Sequence, residues 1–277
     1  MMRAAVLGSP VGHSLSPVLH TAAYSALGLA GEWSYGRFEC AEEGLAGFVK
    51  GCDDGWAGLS LTMPLKREAL RLADEAEPVA REVGGANTLV FGGGRRRAFN
   101  TDVHGIAAAL REAGVQRVSS ATVLGGGATA ASAVAALRGL GAVQDGGIAV
   151  LAREPARAAG VVAAAERMGM RVTTAPLARI GGFLDADVVI STLPGGAADA
   201  YADAVADCGA AVFDAVYTPW PTALAAASHA AGRTVVSGFV MLLHQAARQV
   251  ELMTGLRPAP VEAMRAAGLA ELDRRAA

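Results

Sequence analysis

The segment most informative about the architecture is Ala121-Thr122-Val123-Leu124-Gly125-Gly126-Gly127-Ala128-Thr129-Ala130. Its apolar start predicts a β-strand, its three glycines predict a tight turn, and the alanine-rich residues 128–139 predict a helix. A further apolar run at 147–152 predicts the next strand. This order is typical of the first half of a dinucleotide-binding fold, because small residues let backbone N–H groups approach a pyrophosphate at the helix N-terminus.

Outward from this segment, apolar strand-like runs alternate with alanine- and leucine-rich helical runs. Further along the chain, the pattern predicts strands at 171–174, 187–191, 210–214 and 234–236, and helices at 155–168, 238–254 and 260–275. Towards the N-terminus it predicts strands near 4–8, 33–38, 56–61, 86–91 and 95–99, and helices at 17–28, 42–50, 64–73, 76–83 and 102–113. Such alternation predicts an α/β fold with mainly parallel sheets.

Composition limits the classes of function. The 277 residues are 52% hydrophobic and 18% charged, so the chain can bury a sizeable core and is not disordered. The formal net charge is −2, and the only basic cluster, Arg95 to Arg97, follows three glycines in a predicted hairpin turn. Nucleic-acid binding is not expected, because it needs a broad basic face.

Cysteine, hydropathy and histidine patterns indicate the cellular compartment and bear on membrane spans and metal binding. Cys40, Cys52 and Cys208 are scattered and have no CxxC spacing, which favours a reducing cytoplasm. The uncharged stretches 118–137 and 215–232 are interrupted by glycines or prolines, so neither predicts a membrane span. The five histidines show no zinc-ligand spacing, and we expect no metal.

Two rare residue types stand out. Among 24 basic residues only Lys50 and Lys66 are lysines, and asparagine occurs only at Asn87 and Asn100. Lys66 falls in the first turn of a predicted helix, where the helix dipole opposes a cation, so a functional reason is expected. Asp102 also falls in a first turn, where the alternative is an ordinary dipole-favoured surface charge.

Two loops carry candidate ligand-binding residues. The loop at 8–17 follows a strand and precedes a helix; Ser16 before Pro17 fits an N-cap, but capping does not explain Ser14. Two hydroxyls so spaced can bind a carboxylate or a polyol. In the other loop, Arg153 and Arg157 stand where an NAD enzyme usually has a carboxylate, which favours NADP and its 2′-phosphate. The alternative is a pair of solvated surface arginines.

Taken together, the motifs resemble the shikimate dehydrogenase family. They are GSPVGHSLSP at 8–17, TMPLK at 62–66, GANT at 85–88, NTDVHG at 100–105, the glycine turn, YTPWPT at 217–222 and GFVMLLHQ at 238–245, and they occur in the family's order. The resemblance implies a substrate domain of residues 1–101 and 239–277, and a Rossmann-type, doubly wound NADP-binding domain of residues 102–238.

The resemblance also implies roles for individual residues. Lys66 and Asp102 would be catalytic and flank the reacting C3 oxygen. Substrate binding would fall to Ser14, Ser16, Thr62, Asn87, Tyr217 and Gln245. Cofactor binding would fall to Gly125, Gly126, Gly127, Ala128, Thr129, Arg153, Arg157, Ala215, Gly238 and Met241.

The implied activity is the NADPH-dependent reduction of 3-dehydroshikimate to shikimate. The resemblance implies a cytoplasmic enzyme whose partner is its small-molecule substrate, and a homodimer is left open. Ser60 stands where the family usually has asparagine and is therefore set aside from the site residues. Glu154 stands where the family commonly has threonine, so the preference for NADP over NAD is also open. The alternatives are a quinate/shikimate or aminoshikimate dehydrogenase, and a cofactor-binding regulator without turnover. Intact Lys66 and Asp102 argue against the regulator.

Overall fold

The structure is a computed structural model that describes residues 1–142 and 145–276. The chain divides into two compact units: Met1–Thr101 with Leu243–Ala277 form the first, and Asp102–Leu242 the second. Each unit has its own six-stranded sheet.

The first unit combines a mixed sheet with short helices. Its strands are β1 (Met2–Gly8), β2 (Trp33–Glu39), β3 (Trp56–Leu61), β4 (Glu75–Ala76), β5 (Thr88–Gly92) and β6 (Arg95–Phe99). The helices are α1 (Ser16–Ala26), α2 (Glu42–Lys50), α3 (Lys66–Leu72), α4 (Pro78–Val83) and α11 (Val261–Ala276). The strand order is β2-β1-β3-β5-β6-β4. The buried side chains Leu7, Leu45, Leu59, Leu65 and Leu89 belong to its core.

Strand pairing in this sheet brings the polar loops to one edge. β1 and β3 are parallel, with Leu7 opposite Leu61, so the loops that follow them lie side by side. β5 runs antiparallel to β3, with Thr88 opposite Ser60, so the residues just before β5 lie at the same edge. Segments 8–17, 62–66 and 85–88 therefore converge because of topology, although they are far apart in sequence.

The second unit is a parallel sheet. Its strands are β7 (Ala121–Leu124), β8 (Asp145–Ala152), β9 (Arg171–Pro176), β10 (Val188–Ser191), β11 (Ala211–Asp214) and β12 (Val235–Ser237). Helices α6 (Ala128–Gly139), α7 (Ala159–Arg167), α8 (Ala202–Asp207) and α9 (Ala223–Ala230) connect them. Two further helices, α5 (Thr101–Glu112) and α10 (Gly238–Thr254), contain residues of both units.

The order of these strands is β12-β11-β10-β7-β8-β9. Counted within the unit from β7, this is the 3-2-1-4-5-6 order of a doubly wound dinucleotide-binding fold, whose direction reverses between β7 and β10. Ligands of such sheets bind outside the carboxyl ends of the strands at this reversal. The glycine turn that follows β7 lies at this position.

The predicted two-domain α/β fold is confirmed, with local differences. α3 begins at Lys66 rather than Pro64, and the predicted helix 155–168 opens with a 3-10 turn at Pro155–Ala158 before α7. β4, α8 and α9 were not predicted. β4 has two residues and α8 has six, so both are too short for a periodic pattern to show. No described helix is long and apolar enough to cross a membrane.

Candidate active site

Asn87 is the centre of a buried polar cluster in the first unit. Its Oδ1 accepts the backbone N–H of Thr101 at 2.8 Å and the hydroxyl of Thr88 at 2.9 Å, and its Nδ2 donates to Gln245 Oε1 at 3.3 Å. Each of the four side chains is buried. We call Asn87, Thr88, Thr101 and Gln245 the Asn87 cluster. Satisfied buried amides and hydroxyls of this kind fix a single geometry, because any unpaired group would be costly.

Gln249 extends this network one helical turn further along α10. Its Nε2 donates to Thr88 Oγ1 at 2.9 Å and its Oε1 accepts Ser60 Oγ at 2.8 Å. His20 Nε2 lies 3.3 Å from the same oxygen. Because Gln245 and Gln249 are four residues apart, they lie on one face of the helix. This spacing was a signal in the sequence that the predictions did not use.

Tyr35 connects the network to the serine loop. Its hydroxyl donates to Ser60 Oγ at 2.6 Å, and its ring stacks on that of His20 with centroids 3.9 Å apart. Burial raises the pKa of Tyr35, while hydrogen bonds with Ser60 and Ser16 act in the opposite direction. Burial lowers the pKa of His20 to about 3, so this imidazole is neutral. Ser60 is therefore part of the buried support beneath the predicted ligands.

The serine loop differs from expectation in one respect. Ser16 is the first residue of α1 and Leu15 occupies the N-cap position, so the interpretation of Ser16 as an N-cap is wrong. Ser14, which precedes Leu15 at the N-cap position, bonds the start of the helix: its Oγ accepts the N–H of Ser16 at 3.2 Å. Arg37 donates to the carbonyl of Gly12, and Arg275 Nη1 donates to that of His13 at 2.8 Å. These bonds hold the loop from two elements.

Thr62 and Lys66 lie at the junction of β3 and α3. The N–H of Thr62 donates to Leu7 O at 2.9 Å, which ties this junction to β1. Lys66 is half-buried, and its carbonyl accepts the N–H of Ala86 at 2.8 Å. The backbone of Lys66 is thereby fixed beside the residue that precedes Asn87.

Asp102 lies in the first turn of α5, directly after Thr101 of the Asn87 cluster. It is 5% exposed, so the alternative of a solvated surface charge is wrong. The helix dipole favours a carboxylate in this position. Because a buried charge is costly unless it is paired or hydrogen-bonded, Asp102 also needs a bonding partner. Asp102 has such interactions in the structure.

In the second unit the glycine turn fits a pyrophosphate. α6 begins at Ala128 after Gly127 without a side-chain cap, so its first N–H groups are available to a ligand's oxygens. A Cβ on Gly126 would lie 2.8 Å from the carbonyl oxygen of Arg157, which only glycine avoids. This close approach places the turn against the loop that carries the predicted arginines.

Arg153 and Arg157 are exposed, as a phosphate-binding pair would be. Glu154 lies between them in sequence, and its Oε2 is 3.8 Å from Arg157 Nε. Both partners are about two-thirds exposed, at 65% and 66%, so solvent screens the pair strongly. The residues fit a 2′-phosphate, with part of the positive charge of Arg157 offset.

The remaining predicted residues surround the loop after β11. A Cβ on Gly238 would lie 2.0 Å from Ala215 O, so the start of α10 packs directly on that backbone. Tyr217 is half-buried in the loop, and Met241 is buried. Asp214 holds this loop at both ends, accepting the N–H of Val216 at 3.2 Å and the hydroxyl of Thr222 at 2.7 Å. The sequence predictions missed Asp214.

The chemistry these groups can perform is limited. The described residues contain no cluster of histidine, cysteine or acidic side chains that could hold a metal ion. The predicted site residues offer the ammonium group of Lys66, the buried carboxylate of Asp102, two arginines and several neutral hydroxyl and amide groups. Together with the glycine turn at the reversal of a doubly wound sheet, these features define a nucleotide-dependent oxidoreductase of a polar, hydroxylated substrate.

Comparisons with known proteins agree with this class. The family profile described as the shikimate dehydrogenase substrate binding domain matches residues 6–89, and the shikimate 5′-dehydrogenase C-terminal domain matches residues 238–267. The shikimate dehydrogenase (NADP(+)) of Methanosarcina mazei is 37% identical over 272 residues, which cover 94% of this chain and 95% of that protein.

Solved structures give the same result. The shikimate dehydrogenase of Mycobacterium tuberculosis is 45% identical with a TM-score of 0.89, covering 98% of this chain and 100% of that one. The shikimate 5-dehydrogenase of Thermus thermophilus, in complex with NADP(H) and shikimate, is 34% identical with a TM-score of 0.84, covering 98% and 99%. The chain belongs to the shikimate dehydrogenase family, as the motifs predicted.

Proposed function

We propose that this chain catalyses the reversible NADPH-dependent reduction of 3-dehydroshikimate to shikimate, with Lys66 and Asp102 as its catalytic pair. The observation that carries the proposal is membership of this family along the whole chain, with both residues retained. Lys66 opens α3 and Asp102 is buried in the first turn of α5. A binder without turnover would need neither.

NADPH, when bound, supplies the hydride that reduces the C3 ketone. Lys66, as an ammonium ion, stabilises the negative charge that develops on the C3 oxygen and delivers a proton to it. Asp102 orients Lys66 and accepts a hydrogen bond from the substrate hydroxyl next to C3. The neutral Asn87 cluster and the serine hydroxyls bind the remaining hydroxyls and the carboxylate.

The proposal assigns the other predicted ligands as well. Ser14, Ser16, Thr62, Asn87, Tyr217 and Gln245 bind substrate. The glycine turn, Arg153, Arg157, Ala215, Gly238 and Met241 bind NADP. The first unit is the substrate domain and the second the cofactor domain. We also place the enzyme in the cytoplasm, since Cys40, Cys52 and Cys208 are all free, and propose a homodimer without nucleic-acid partners, which sedimentation can test.

The substrate is tested by oxidation of shikimate, quinate and aminoshikimate with NAD⁺ and with NADP⁺, followed by absorbance. We expect kcat/KM for shikimate with NADP⁺ to exceed that for quinate at least about tenfold, because Ser14, Ser16 and Asn87 match the substrate-binding motifs of the shikimate dehydrogenase family. Equal values for two of the substrates would contradict the proposed specificity. Absence of any turnover would contradict the proposed activity.

The catalytic pair is tested by substitution. Lys66→Met should lower kcat roughly 10²–10⁴-fold and change KM for shikimate only a few fold, because the lost interaction strengthens mainly in the transition state. Asp102→Asn should affect both parameters, since Asp102 also binds a substrate hydroxyl. Lys50→Met is the matched control, because Lys50 is an exposed residue at the end of α2, and it should leave both parameters unchanged. A near-normal kcat in Lys66→Met would refute the mechanism.

A further inference from the structure

Asn100 is a buried residue of the NTDVHG motif to which the proposed mechanism gives no task. It lies between β6 and α5, two residues before Asp102, and only 3% of it is exposed. It is also one of only two asparagines in the chain. A buried amide costs free energy unless it is hydrogen-bonded, so its partners indicate what it is for.

The side chain of Asn100 connects to Lys66 through the backbone. Its Nδ2 donates to the carbonyl of Gly85 at 2.9 Å. Gly85 lies against α3, since a Cβ at Gly85 would be 3.4 Å from Lys66 Cβ. The next residue, Ala86, donates its N–H to Lys66 O at 2.8 Å. The position of the first residue of α3 therefore depends on the segment that Asn100 holds.

The backbone of Asn100 is held from the opposite side. Its N–H donates to Glu77 Oε1 at 2.6 Å, which is short because the acceptor is a carboxylate. Glu77 stands directly before α4, and its own N–H donates to Ala98 O at 3.0 Å. Burial raises the pKa of Glu77, whereas the bond from Asn100 and the charge of Arg248 lower it. Asn100, which directly precedes the first residue of α5, is thus anchored to α4.

From this geometry we infer that Asn100, held by Glu77, is a positioning residue that fixes Lys66 relative to the start of α5. Asn100 touches neither substrate nor cofactor in this scheme; it acts through Gly85 and Ala86 on Lys66. The inference rests on the proposed function, because it assigns Asn100 a part in placing the proposed catalytic residue Lys66. Misplacing a catalytic group by about 1 Å can cost up to roughly 10²-fold in rate.

The test is a double-substitution cycle on kcat for shikimate oxidation at saturating NADP⁺. Asn100→Ala alone should lower kcat about ten- to a hundredfold, with a smaller change in KM and an unchanged Kd for NADP⁺. In a Lys66→Met background the same change should lower kcat less than about threefold, because the group that Asn100 positions is already gone. Equal losses in the two backgrounds would overturn the inference.

Two further variants keep this result interpretable. Asn100→Asp preserves the shape but replaces the donor to Gly85 by an oxygen, so it should show the same loss of kcat if Asn100→Ala does not fold. Val49→Ala, in α2, removes core volume and should reduce stability without lowering kcat. If Asn100→Asp behaves like Val49→Ala, Asn100 is only structural. If Lys66→Met itself is fully active, the proposed mechanism is what has failed.

Discussion

In the first unit the predicted substrate ligands Ser16, Asn87 and Gln245 are buried and uncharged, whereas in the second unit the predicted cofactor ligands Arg153 and Arg157 are exposed and charged. The former belong to a hydrogen-bonded network whose loss should cost folding stability. The latter project into solvent, where each ionic contact is weak and depends on salt. We therefore expect substrate affinity to be linked to the stability of the first unit, and cofactor affinity to change independently of stability.

The largest effect should come from Gln249, whose side chain bonds to Ser60, Thr88, His20 and the carbonyl of Asn87. Gln249→Leu leaves Ser60, Thr88 and His20 without their shared partner, and should lower the free energy of unfolding by about 3–5 kcal/mol. Urea unfolding followed through Trp33 and Trp56, both in the first unit, measures it. Gln116→Leu, the same change at an exposed site, should cost under about 0.5 kcal/mol. Similar decreases in the free energy of unfolding in the two variants would contradict the proposed importance of the buried network.

Acid should weaken the first unit through His20. Its pKa is lowered from the ordinary 6.5 to about 3 by burial, so the unfolded chain binds a proton that the folded chain does not. The contribution of His20 to the free energy of unfolding is fully present above pH 6.5. It decreases as pH falls below this value, by up to about 1.4 kcal/mol per pH unit. Unfolding at pH 7, 6 and 5 tests this, and His20→Phe should flatten the slope. An unchanged slope in that variant would contradict the assignment.

Asp214 should give a smaller effect of opposite sign in the second unit. Burial raises the pKa of Asp214 above the ordinary 3.8, so the folded state binds the proton more tightly than the unfolded state. The contribution of Asp214 to the free energy of unfolding therefore decreases as pH rises above 3.8. Asp214→Asn should cost about 1–2 kcal/mol near neutral pH and more in acid. Unfolding followed through Trp220 measures the difference at pH 4 and pH 7. A loss that is smaller at pH 4 would contradict the sign.

The smallest effect should come from Glu154. Its carboxylate offsets part of the charge of Arg157, an exposed contact worth roughly 0.5–1.5 kcal/mol, or about a two- to twelvefold change in affinity. Glu154→Thr should lower KM for NADP⁺ several fold, leave NAD⁺ nearly unchanged, and lose its advantage as salt rises. Glu166→Thr, an exposed control in α7, should change nothing. An unaltered KM for NADP⁺ would mean that Glu154 points away from the phosphate, and a wild-type preference for NAD⁺ would mean that it holds the ribose.

The sequence predicted the glycine turn and the strands around it well, because local periodicity and turn residues determine both. Rarity drew attention to Lys66 and Asn87, and the resemblance to the family implied their roles, which stay predictions. The sequence predictions missed Gln249 and Asp214, since their partners are distant along the chain or lie in a loop without periodicity. Ser60 was set aside because it departs from the family pattern, although its burial between Tyr35 and Gln249 gives it a structural task.

The discontinuity of the first unit has a consequence for synthesis on the ribosome. Residues 1–101 emerge early, but Gln245 and Gln249, which complete the Asn87 cluster and its extension, follow only after the whole second unit. At about 5–20 residues per second, residues 102–242 take roughly 7–28 s to translate. During this interval Asn87, Ser60 and Thr88 lack their partners from α10, while the second unit can already fold. The nascent chain therefore completes its second unit before its first.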